Sequence, residues 1–153
     1  MKSYEKLLFY KKEALMKKIL LIVLMVVSSS SCNKDSYEFP YAQVNYYIYP
    51  NNAVYNGLHF PGGSSYIEGG VNGILIFHDY FGNYIAYDRA CTNDPLNSCA
   101  QVSMNENNPN MLSCNCCESE FFIFDGGVTK GPARQALHRY RTQFDGVRLQ
   151  ILN

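Results

Sequence analysis

A small all-β barrel or sandwich is the fold the sequence predicts, and three observations predict it. The chain of 153 residues holds 13 Tyr and 9 Phe but no Trp, an aromatic load that suits the half-buried faces of strands. No stretch beyond its first thirty-two residues sustains an apolar period near 3.6 over three turns. Finally, Tyr140, Thr142 and Phe144 alternate with polar residues up to Asp145-Gly146, and Val147, Leu149 and Ile151 alternate again after it. Asp-Gly between two alternating runs is the strongest short-range hairpin signal.

The elements follow in chain order. Lys17-Lys18 precedes nine apolar residues, Ile19 to Val27, then Ser28 to Ser31 and Cys32. A charged start, an apolar middle and small residues before a cysteine form the plan of a secretory signal over residues 1–32. Nine residues span about 14 Å as helix, short of a hydrocarbon core of about 30 Å, so the segment reads as a signal and not as a membrane anchor. Cys32 after four serines resembles a relaxed lipobox, which implies cleavage and acylation at Cys32 and attachment to the bilayer of a bacterial envelope, facing periplasm or cell surface. Met16 opens a compact signal by itself, so residues 1–15 read as a start assigned too early.

Residues 33–43 are polar, hold Pro40, and read as a tether to a domain over 44–153. Val44 to Tyr49 is β-branched and aromatic. Ile74 to Phe77 reads as a buried strand that Gly82-Asn83 turns into Tyr84 to Tyr87, and Phe121 to Phe124 is another apolar run stopped by Asp125-Gly126-Gly127. Ala133 to Tyr140 allows one helical turn at most.

Charge and composition narrow the function. With 47% hydrophobic and 17% charged residues the chain is long enough for one domain. Six of its 13 basic side chains precede Cys32 with only two acids, leaving seven basic against eleven acidic groups, a net of −4. A mildly acidic domain without a basic stripe argues against a nucleic-acid partner. Gly62-Gly63 and Gly69-Gly70 lack the strand and helix of a phosphate loop, and no nucleophile elbow or Ser/His/Asp set is recognisable, so nothing nominates a hydrolase. Arg134, Arg139 and Arg141 read as a solvated face or as partners of Glu118 and Glu120. Tyr46, Tyr47, Tyr49 and Tyr55 suit sheet packing as well as sugar stacking.

Chemistry concentrates in the cysteines. Beyond Cys32 there are five: Cys91 and Cys99 in Arg89-Ala-Cys-Thr-Asn-Asp-Pro-Leu-Asn-Ser-Cys99, and Cys114, Cys116 and Cys117 in Leu112-Ser-Cys-Asn-Cys-Cys-Glu-Ser-Glu-Phe121. An odd number cannot pair fully within the chain. After them come Asp125-Gly126-Gly127 and Gly131-Pro132-Ala133.

This ordered set, over roughly residues 70–153, resembles the Rieske family. That family carries C-T-H in one loop and C-P-C-H-G-S-x-F in the next, followed by a glycine turn, a G-P-A loop and a final hairpin. The resemblance implies a Rieske-like β-fold with a cysteine-bearing two-loop tip. It implies Cys91 and Cys114 as thiolate ligands of one iron of a [2Fe–2S] cluster, a bridge from Cys99 to Cys116, and Gly131, Pro132 and Ala133 as the covering loop. The departures lie at the second iron: Asn93 stands at the first histidine position and Cys117 at the second. His59, His78 and His138 lie outside both loops and read as packed side chains. An amide oxygen is a poor substitute for imidazole on iron. The signal also lacks a twin-arginine pair, which suits export of an unfolded chain without a cluster.

The expectation is therefore a membrane-anchored, non-enzymatic binding module with a lost or altered cluster site and no cofactor. The alternative is an electron-transfer protein with [2Fe–2S], or with a single Zn or Fe on Cys91, Cys114 and Cys117 with water or Asn93, serving a protein redox partner. Without metal, Cys91 is expected to bridge to Cys114 or Cys117, leaving one thiol free.

Overall fold

Ile74-Leu75-Ile76-Phe77 and Tyr84 to Asp88 have no exposed side chain, and they form the centre of the domain. In a computed structural model, residues 15–18 and 38–153 are described; the apolar run and Cys32 of the segment read as an export signal, and residues 33–37 of the stretch read as a tether, lie outside them. Residues 15–18 form one helical turn, and the unit Glu38–Asn153 is almost entirely β.

Its ten strands are β1 (Asn45–Ile48), β2 (Ser64–Ile67), β3 (Ile74–His78), β4 (Tyr84–Asp88), β5 (Val102–Asn105), β6 (Asn108–Cys114), β7 (Glu120–Phe122), β8 (Val128–Lys130), β9 (Arg139–Phe144) and β10 (Leu149–Leu152), with a short 3-10 segment at Ala53–Leu58. All pairings are antiparallel. A six-stranded sheet runs β1-β10-β9-β4-β3-β2, and a four-stranded sheet runs β5-β6-β7-β8. The sheets curve into a half-barrel.

Strand periodicity explains the continuous apolar runs. On β3, Leu75 and Phe77 point to one core and Ile74 and Ile76 to the other. The first core also takes Ile85, Tyr87, Val102, Leu112, Phe121 and Ile123, joining β3 and β4 to the smaller sheet. The second takes Val44, Ile48, Leu58, Tyr140, Leu149 and Ile151. Each such aliphatic or aromatic side chain contributes about 1.5–3 kcal/mol on full burial.

Turns follow from their residues. Asp79 Oδ1 accepts from the N–H groups of Phe81 (2.8 Å) and Asn83 (2.7 Å), closing the β3–β4 hairpin with Gly82 at φ 84°. The stretch between the cysteine loops becomes the β5–β6 hairpin, in which Asn105 Oδ1 accepts from the N–H groups of Asn107 and Asn108.

Two expectations are corrected here, at the last hairpin and at the run from Phe121. The last hairpin pairs Phe144 with Leu149, so Asp145 to Arg148 form a four-residue loop and Val147 sits exposed in it. The cause is Asp145 Oδ1, which accepts from the N–H groups of both Val147 and Arg148. The run at Phe121 is strand only to Phe122, because Gly126 N–H returns to the Phe122 carbonyl at 2.8 Å. Ala133 to Leu137 form no helical turn; their groups bond outward, Ala133 N–H to Ser119 and Leu137 N–H to Gly126. Residues 38–43 lie against the strands: Phe39 stacks on His138 at 4.6 Å, and Asn153 Nδ2 donates to the Ala42 carbonyl.

Candidate metal centre

Strand β4 delivers the first cysteine loop, and Asp88 at its end fixes how the chain leaves. Asp88 is fully buried and accepts from Val71 N–H (2.6 Å), Asn72 N–H (3.2 Å), Ala90 N–H (2.8 Å) and the Tyr140 hydroxyl (2.6 Å). Burial and the bond to Asp88 hold the Tyr140 hydroxyl far above its ordinary pKa. Sequence reasoning missed Asp88. Its one signal was a carboxylate closing an apolar strand, where an unpaired charge is not tolerated.

Beyond it, Cys91 N–H donates to the Ala100 carbonyl at 2.8 Å, and the loop between is a chain of turns: Asp94 N–H to Cys91 O, Asn97 N–H to Asp94 O, Ala100 N–H to Asn97 O. The second loop caps the β6–β7 connection. Cys114 N–H donates to the Ser119 carbonyl, Glu118 N–H returns to the Cys114 carbonyl, and Glu118 takes φ 57°, a left-handed conformation unusual for a residue with a Cβ. The Gly131–Ala133 segment closes over both. Ala133 N–H donates to Ser119 Oγ at 2.9 Å, and Thr92 Oγ1 donates to the Gln135 carbonyl at 2.6 Å.

These loops sort the five cysteines into two sets. Cys99 and Cys116, both exposed, are joined as a disulfide with Cα atoms 5.3 Å apart, the pairing the resemblance implies. Cys91, Cys114 and Cys117 are free thiols whose sulfurs all lie within 4.8 Å of one another, with Cys91 Sγ and Cys117 Sγ 3.6 Å apart. The expected second bridge is therefore not formed. Three sulfurs share one site instead, and polar donors face them. Cys91 and Cys114 are buried, while Cys117 is partly open to solvent.

Donors approach two of the three sulfurs. The Asn93 N–H is directed at Cys91 Sγ. The Ser119 N–H is directed at Cys117 Sγ, and Ser119 Oγ stands 3.1 Å from the same sulfur. Because that oxygen already accepts from Ala133 N–H, its proton is free to point at the sulfur. Burial pushes the Cys91 thiol well up, against the opposing Asn93 N–H. Burial also opposes ionisation of Cys117, but the Ser119 hydroxyl and N–H, together with the Cys114 and Cys91 thiols, outweigh it and hold this thiol below its ordinary value.

The other residues read as candidates fall elsewhere. The Asn93 side chain is exposed, and the residue meets the sulfur site through its backbone. His78 Nδ1 lies 2.9 Å from the Leu58 carbonyl and its ring stacks on Tyr84, His59 Nε2 lies 3.3 Å from the Asn52 carbonyl, and His138 packs between Phe39 and Tyr140. Glu120 pairs with Lys130 at 3.4 Å rather than with an arginine.

This donor set does not fit a Rieske cluster. Such a cluster takes two protein ligands on each of two irons, histidines on one of them. Here three sulfurs converge on a single point, and no His, Asp or Glu among the described residues joins them. A pair of irons would need a fourth donor and a wider separation between the two ligand pairs.

No protein-family model and no curated protein matches the chain. Solved structures do. The plasma-membrane Rieske protein PetC3 of the cyanobacterium Synechocystis PCC 6803 superposes with a TM-score of 0.50 and 24% identity, over 59% of this chain and 86% of that one. The ferredoxin of carbazole 1,9a-dioxygenase from Nocardioides aromaticivorans gives a TM-score of 0.44 and 14% identity, over 61% of this chain and 86% of that one. A putative NADH-dependent nitrite reductase small subunit from Mycobacterium tuberculosis gives 0.45 and 17%, over 72% and 96%. With its two cysteine loops, covering loop and half-barrel of antiparallel sheets, the domain has the Rieske-type fold.

Proposed function

We propose that the chain is a lipid-anchored module of a bacterial envelope, in which a Rieske-type fold serves binding rather than electron transfer through a two-iron cluster. The observation that carries this reading is the absence of imidazole from the tip: each of the three histidines is engaged elsewhere, and the family's second iron has no ligand pair. The signal plan and Cys32 supply the anchor, and the acidic domain with its braced loops supplies a surface for a protein partner.

The test is chain isolated from its native membrane. The expected result is no stoichiometric iron with acid-labile sulfide and no rhombic EPR signal on reduction, together with loss of acyl-chain labelling and of membrane retention in Cys32→Ala. Two irons and two sulfides per chain with a rhombic signal overturn it.

A second reading, one-electron transfer at this tip, is favoured by the convergence of Cys91, Cys114 and Cys117. The same measurement decides between the two.

A further inference from the structure

We infer that Cys91, Cys114 and Cys117 together bind one zinc-class divalent ion, with a fourth coordination position left open on the Cys117 side. The inference deepens the reading of an altered cluster site and rests on it.

Size is the first argument. Zinc–thiolate bonds are about 2.3 Å, so two thiolates on one tetrahedral ion stand about 3.8 Å apart. Cys91 Sγ and Cys117 Sγ are 3.6 Å apart, and all three sulfurs fall within 4.8 Å. One ion fits among them with adjustments of at most about 1 Å.

The donors around the site are the second argument. Sulfur bound to metal is an anion, and its remaining lone pairs want N–H and O–H partners. Asn93 N–H faces Cys91, and Ser119 N–H and Oγ face Cys117. Ser119 is itself fully buried and held by Ala133 N–H, so its hydroxyl is fixed in place by the covering loop. A disulfide from Cys91 to Cys117 makes no comparable use of these donors, and it strands Cys114 as a lone buried thiol.

The third argument is the shape of the opening. Cys91 and Cys114 are buried, no carboxylate or imidazole among the described residues completes the set, and Cys117 faces partly outward. A water, or a donor from a docked partner, takes the fourth position there, as at zinc sites with three protein ligands. On binding, the three thiols give up three protons to solvent and the divalent ion gains three thiolates, leaving a local charge of −1. No oxidant or reductant is required.

The experiment uses the full chain, stripped of metal by a chelator, with the Cys99–Cys116 bridge intact and three thiols confirmed by thiol counting. Zn²⁺ is titrated against a chromophoric competitor and Co²⁺ is followed by visible and near-ultraviolet absorption. The expected result is one ion per chain, sulfur-to-cobalt charge transfer with tetrahedral ligand-field bands, and proton release on Zn²⁺ binding. Cys117→Ser, at the partly exposed position, weakens Zn²⁺ binding at least about a hundredfold, and Ser119→Ala by about tenfold. The proposal is overturned if natively folded wild-type chain takes up no ion, or if Cys117→Ser binds as tightly as wild type. It is also overturned if chain isolated from its membrane holds a Cys91–Cys117 disulfide. If zinc fails to bind, the reading as a binding module still stands; if the isolated chain carries two irons and two sulfides, both fall.

Discussion

The tip has an outer rim and an inner floor, built from the same two loops and differing in almost every physical respect. The rim is Cys99 and Cys116, exposed and covalently joined. The floor is Cys91, Cys114 and Cys117, packed into the core that holds Phe121, Leu112 and Leu137 and unjoined, with Cys91 Sγ and Cys117 Sγ 3.6 Å apart. Position does not account for this. The rim sulfurs face solvent with few polar partners and find each other. Two of the floor sulfurs face N–H and O–H groups set by Asn93 and Ser119, so Cys91 and Cys117 each have a use as an acceptor. A bridge therefore stabilises the outside of the tip, and hydrogen bonds organise the inside.

If the two regions are independent, breaking each should have separate consequences. The largest effect is expected below the floor, at Asp88→Ala. It leaves three N–H groups and the Tyr140 hydroxyl without their acceptor, and should cost at least about 3 kcal/mol in urea unfolding. An unchanged midpoint would show that the loop does not depend on this anchor. Next is the rim. Replacing Cys99 and Cys116 by Ser opens a loop with a sequence separation of 17 and should lose about 3 kcal/mol, while three thiols still converge and still bind Co²⁺. Loss of cobalt binding in that variant would merge rim and floor into one unit.

A third measurement separates the floor sulfurs from one another. The donors of Ser119 lower the Cys117 pKa and burial raises that of Cys91, so thiolate persists at Cys117 as pH falls below the ordinary thiol range and at Cys91 does not. In metal-free chain at pH 7, alkylation followed by peptide mapping should label Cys117 at least about tenfold faster than Cys91. Equal rates would mean that the Ser119 contacts do not act on the sulfur. The smallest effect is expected at Glu118, whose φ of 57° suits glycine. Glu118→Gly should raise stability by about 0.5–1 kcal/mol without altering thiol reactivity.

How far the sequence exposed this arrangement depended on the kind of signal. Ile74–Phe77, Tyr84–Tyr87 and the final hairpin were legible because strands buried on both faces read as continuous apolar runs, and half-buried ones as alternation. The β5–β6 hairpin was not, since Asn105 to Asn110 have neither pattern, and their side chains are spent on turns. The two cysteine loops were legible through ordered spacing, as was the Cys99–Cys116 pairing by resemblance. The fate of the other three was not. Whether two nearby sulfurs join depends on the donors around them, and Ser119 reaches Cys117 only through a turn that places Glu118 in a left-handed conformation. Asp88 was hidden for a related reason: three of its four partners, on Val71, Asn72 and Tyr140, come from segments distant in the chain.

Strand β1 lies beside β10, with Asn45 opposite Leu152, and Val44 N–H donates to Asn153 Oδ1 at 2.9 Å. The path into the domain and the path out of it therefore share one margin. A reporter fused after Asn153 will emerge next to Val44, and a short linker from 153 to 44 with new ends cut between Asp145 and Arg148 should preserve every strand neighbour. Such a permuted chain would begin and end at the β9–β10 turn.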